Sequence, residues 1–97
     1  MIEAHKHLIQ WGLDRGYAIE VECEGELDYN GTNYTEAVEA VEACDIGLIY
    51  LTEGGEMMAV FSYVLEYDQE PDEIIGDWGI NEVSEAWDKE YTSSLSC

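Results

Sequence analysis

Residues 18–29 read Ala18-Ile19-Glu20-Val21-Glu22-Cys23-Glu24-Gly25-Glu26-Leu27-Asp28-Tyr29, and their alternation decides the fold. Ile19, Val21, Cys23, Leu27 and Tyr29 share one parity, while Glu20, Glu22, Glu24, Glu26 and Asp28 share the other. Successive side chains of a strand point to opposite faces, so the pattern predicts a half-buried strand with an acidic wet face. Glu24-Gly25 fits either a tight turn between two strands or a bulge inside one longer strand. If it is a turn, the carboxylates are expected to stay on one face of the hairpin.

Upstream, Ala4, Leu8, Trp11 and Arg15 follow helical spacing, and Gly16 stands where a left-handed helix cap belongs, so a helix is predicted over Ile2 to Arg15. Downstream, Asn30-Gly31 marks a turn, and Asn33 with Glu36 matches the capping pattern of a helix that runs to about Cys44. Tyr34, Val38 and Val41 of that helix face the core, while Glu36, Glu39 and Glu42 form a second acidic row.

Ile46 to Thr52 and Met57 to Tyr67 read as two strands joined across Gly54-Gly55. Pro71 sits in a polar loop with Asp68, Glu70, Asp72 and Glu73, and Ile74-Ile75 follows as a short edge strand. Asn81 caps a last helix with Val83, Trp87 and Tyr91 on one side. The expected architecture is α+β: a small antiparallel sheet of three to four strands with about three helices packed against it. A single domain over residues 1–91 and a flexible tail over 92–97 complete the prediction.

Twenty-three Asp and Glu face only Lys6, Arg15 and Lys89, for a formal net charge of −20. Solubility of a small domain needs a charge on the order of 2 to 8, so something beyond solubility is selected. Direct binding to nucleic acid or to an anionic membrane is excluded by repulsion. A hydrophobic fraction of 46% sets the chain apart from disordered acidic tails, so the carboxylates are held on a folded body. Same-face neighbours along a strand lie roughly 6.5–7 Å apart, close to the separation of successive phosphates on one DNA strand. The partner chemistry that follows is a cation-lined groove.

Cys23, Cys44 and Cys97 are odd in number and far apart, which argues against a disulfide framework and against a zinc site, and points to a reducing cytoplasm. Apolar runs such as Met57 to Phe61 are too short to span a bilayer, and no signal-peptide core opens the chain. His5 and His7 lack a local third group for a catalytic triad, so no enzyme is predicted. Asp28 and Glu39 are spaced like the ends of a calcium loop, but Asn33 occupies the position that requires glycine, and no metal or other cofactor is expected. Trp11, Trp78 and Trp87 are expected in the core, and Tyr29, Tyr34 and Tyr67 are candidate contact residues.

The frame Gly16-Tyr17-Ala18-Ile19-Glu20-Val21, the run Glu36 to Asp45, and Ile75-Gly76-Asp77-Trp78 leading into Glu85-Ala86-Trp87 resemble small acidic bacteriophage proteins. Size and charge are similar to those of DNA-mimicking anti-CRISPR proteins that act on type I-F surveillance complexes. That resemblance implies a stoichiometric inhibitor in the host cytoplasm whose carboxylates take the place of DNA phosphates. The candidate contacts are Glu20, Glu22, Glu24, Glu26 and Asp28, flanked by Glu36, Glu39, Glu42, Asp68, Glu70, Asp72 and Glu73. A restriction enzyme, a uracil-DNA glycosylase or a nucleoid protein offers the same kind of basic cleft. An acidic interaction domain without mimicry is the alternative of another class.

Overall fold

A computed structural model describes residues 3–65, 74–79 and 81–95. In chain order these form α1 (Ala4–Asp14), β1 (Ala18–Cys23), β2 (Glu26–Gly31), α2 (Tyr34–Glu42), β3 (Ile46–Glu53), β4 (Glu56–Val64), β5 (Ile75–Trp78) and α3 (Glu82–Leu95). Every strand pairing is antiparallel, in the order β2-β1-β3-β4-β5. The α+β class is as expected, with five strands in place of three to four because Glu24-Gly25 is a turn. The loop carrying Asp68, Glu70, Pro71, Asp72 and Glu73 lies outside the described residues.

Local chemistry accounts for the helix ends. Gly16 has φ 89°, its N–H bonds the Leu13 carbonyl, and the Tyr17 N–H reaches back to Gly12, which together make a left-handed glycine cap. Arg15 lays its guanidinium 4.6 Å above the Trp11 ring at the same corner. Asn33 accepts the Glu36 N–H at 2.9 Å through its side chain, and Asn81 does the same for Ser84 at 2.9 Å. α3 continues to Leu95, so the loose tail expected after Tyr91 is helical at its start. There the Ser94 hydroxyl donates to the Tyr91 carbonyl at 2.7 Å.

Both tight hairpins use mirror-image turns. Glu24 and Gly25 have φ 52° and 84°, and Gly54 and Gly55 have φ 61° and 84°. Two central residues with positive φ match the right-handed twist of the flanking strands. Glu24 is the one described residue other than glycine in this conformation, which crowds its Cβ against the following carbonyl. Glu24→Asn is expected to raise stability by about 1 kcal/mol, seen as a higher urea midpoint. A lower midpoint would contradict strain at this position.

α1 packs against both α2 and α3, and the helices cover one face of the sheet. Ile19, Val21, Ile49, Leu51, Ala59, Phe61 and Tyr63 point into that layer and meet Leu8, Ile9, Val41 and Trp87. Trp11 and Trp87 are buried as expected, and Trp78 is half-buried against Trp87 and Phe61. Cys23 and Cys44 are joined by a disulfide across Cα atoms 6.2 Å apart, which corrects the expectation of unpaired thiols. The fold brings the end of β1 beside the exit of α2, a proximity that a separation of 21 residues conceals. Among the described residues no helix is long and apolar enough to cross a membrane.

Candidate functional site at an acidic sheet edge

The register corrects the expected single-faced row. A two-residue turn sets Cys23 directly opposite Glu26 and Glu22 opposite Leu27, and directly opposed residues share a face. Glu26 therefore stands on the helix side with Cys23, while Leu27 joins Glu20 and Glu22 on the open side. The register then shifts so that Val21 meets Tyr29, which leaves Asp28 as the extra residue of a bulge on the edge strand. The row becomes a band that bends around the β2 edge: Glu20 and Glu22 on the open face, Glu24 at the tip, Glu26 behind it, and Asp28 on the rim.

α2 packs beside β2 and extends this band with the exposed Glu36 and Glu39. Glu42 is turned away from it toward α1. There it accepts from His5 Nε2 at 2.9 Å, with Lys6 Nζ at 3.9 Å. On the open face the Tyr50 hydroxyl donates to Glu22 at 2.6 Å, which fixes that carboxylate over β3. The same bond is the main reason that the Tyr50 pKa rises. Burial pushes the Tyr63 hydroxyl up to about 12, and the charges of Asp28 and Asp45 add to the shift.

The described ion pairs, Lys6–Glu3, Lys6–Glu42 and Arg15–Glu90, and the His5–Glu42 hydrogen bond all lie in or beside the helices. Among the described residues, none of Glu20, Glu22, Glu24, Glu26, Asp28, Glu36 and Glu39 is within ion-pair distance of a cation. Ligand atoms of Glu3, His5 and Glu42 lie within 4.8 Å of one another. Lys6 already fills that spot, 2.9 Å from Glu3, and its ammonium holds the Glu3 carboxyl below the usual carboxylate range. This cluster is an internal ion-pair network, with the charge that a metal would bring supplied by lysine.

His7 accepts the Trp87 indole N–H at 3.1 Å, and burial pushes its imidazole below the ordinary value, so it is neutral at pH 7. Both histidines are thus engaged by structural partners. Tyr29 is half-buried and accepts the Asn33 N–H at 2.9 Å, which braces the start of α2. Leu27, Tyr50 and Met57 were not singled out as surface groups by sequence; parity assigns Leu27 to the core, and only the register moves it outside. No protein-family model, no curated protein and no solved structure matches this chain.

Proposed function

We propose that this protein is a stoichiometric inhibitor that seats its acidic edge in the cation-lined, nucleic-acid-binding groove of a partner protein in place of DNA. One observation carries the reading: the carboxylates gather around the β2 edge with no cation among the described residues within ion-pair distance, while the described ion pairs keep to the helices. An uncompensated acidic band draws Lys and Arg by long-range attraction and speeds encounter. A band that curves around an edge presents charge in several directions at once, which suits a groove better than a flat surface.

The narrower target is the DNA site of a type I-F CRISPR surveillance complex in the host cytoplasm, suggested by the resemblance of the framework residues. The test is displacement of labelled target duplex from that purified complex, run with and without dithiothreitol because the cytoplasm reduces disulfides. The inhibitor should release DNA in proportion to its concentration, and release should weaken as salt rises. Joint replacement of Glu20, Glu22, Glu24 and Glu26 by Lys should abolish it while the circular dichroism spectrum is kept. Should the complex hold its duplex undisturbed, the CRISPR target is refuted. Should proteins captured from bacterial lysate resist release by excess duplex DNA, mimicry itself is refuted.

A further inference from the structure

The large apolar side chains that stand well out of the core, Leu27, Ile46 and Met57, are 57%, 56% and 55% exposed. All three lie on the sheet face opposite the helices. Leu27 pairs with Glu22, Ile46 with Val64 and Met57 with Thr52, all positions of the outward parity. Half-buried Leu48, Tyr50 and Val60 join Ile46 and Met57 across β3 and β4, and Glu20 and Glu22 of β1 stand between this patch and Leu27. Among the described residues no helix packs on this face. Scattered exposed apolar residues need no explanation, but a contiguous patch with a polar rim marks an interaction site.

Where the patch meets these carboxylates is a shallow depression of about 350 Å³ lined by Glu20, Glu22, Gly25, Leu27, Tyr50 and Met57. Its chemistry is specific: two carboxylates, an aromatic ring held in place by its bond to Glu22, and two aliphatic walls. From these we infer that the open sheet face is a docking surface for an arginine-bearing, partly apolar segment of a basic protein. A guanidinium is planar and weakly hydrated, so it can stack on Tyr50 while its N–H groups meet Glu20 and Glu22. Its methylene stem and apolar neighbours cover Leu27 and Met57.

Charge complementarity selects this occupant. Lys6 lies on α1, Arg15 caps its C-terminal end and Lys89 lies on α3, so a second copy placed face to face would bring carboxylates against carboxylates. Nucleic acid is repelled for the same reason. The inference rests on the reading that the partner is a basic protein, and adds that the contact has an apolar centre which DNA phosphates lack.

The experiment titrates isotopically labelled protein with two peptides of equal positive charge, one alternating Arg with Leu and one alternating Lys with Ser. Salt is taken from about 0.1 M to about 1 M, over which the Debye length falls from about 10 Å to about 3 Å. The Arg–Leu peptide should shift the amide signals of Glu20, Glu22, Leu27, Tyr50 and Met57 and keep its affinity within about tenfold, whereas the Lys–Ser peptide should lose about a hundredfold. Joint Leu27→Ser and Met57→Ser replacement should weaken only the Arg–Leu peptide, by about tenfold or more. Shifts confined to the hairpin tip and α2, with equal salt loss for both peptides, overturn the inference and leave the acidic-edge reading standing. Binding of neither peptide overturns both. A dimer in sedimentation that Leu27→Ser disperses would make the occupant a second copy, and overturns the inference as well.

Discussion

Trp87→Ala should remove about 3–5 kcal/mol of folding stability, a large share of the roughly 5–15 kcal/mol that a domain possesses. Trp87 is 1% exposed and stacks on Tyr91 with ring centroids 5.4 Å apart. Phe61 and Trp78 meet it edge-on at 5.3 Å and 5.6 Å. This ring is where α3 joins the sheet, so truncation opens a cavity and also removes the indole N–H that His7 accepts. Trp87→Phe keeps the aromatic contacts and drops the donor, and should cost about 1–2 kcal/mol. Urea unfolding followed by circular dichroism checks both, at low and high salt, because self-repulsion of a chain with net charge −20 narrows the stability margin in low salt. A loss under about 1 kcal/mol for the alanine variant would show that α3 is peripheral to the core.

Opening the Cys23–Cys44 bond should cost roughly 3 kcal/mol, the chain-entropy value for a crosslink closing a loop of about this length. The bridge spans 21 residues and holds the end of β1 against the exit of α2, so it fastens the hairpin tip that carries Glu24. Reduced wild type and the joint Cys23→Ser, Cys44→Ser variant should share one lowered urea midpoint, while Cys97→Ser should leave the oxidised midpoint unmoved. Equal midpoints with and without dithiothreitol would mean that the crosslink adds nothing to stability. Displacement activity that survives dithiothreitol would show that the acidic edge holds its shape without the bond.

What could be read from the chain was whatever depends on a few neighbouring residues. Asn33 with Glu36, Gly16 after Arg15, and Gly54-Gly55 each specify a backbone conformation locally, and each appears where expected. The acidic stretch misled for a physical reason. A two-residue turn at Glu24-Gly25 reverses the in–out sense, and the bulge at Asp28 reverses it again, so the two inversions cancel in a simple count. Between them lie Glu26 and Leu27, the two residues whose faces were exchanged. Glutamate is also an uncommon occupant of a positive-φ turn position, which kept the turn from announcing itself. The disulfide and the His5–Glu42 pair depend on α2 lying across the end of β1 and beside α1, a tertiary arrangement that no local pattern encodes. Tyr91 looked like the last helical residue because Thr92-Ser93-Ser94 is polar, yet a helix needs no apolar face once it has passed the core.

A binder that works by occupancy has to be present in as many copies as its target, and crowding is dangerous for a sheet with an unpaired border. On β2 that border is interrupted by Asp28 and flanked by Glu26, so strands of neighbouring copies repel before their free N–H and C=O groups can zip together. The opposite border, β5, is only 4 residues long and offers little to extend. Among the described residues, the carboxylates of the proposed contact therefore also stand guard on the open border of the sheet.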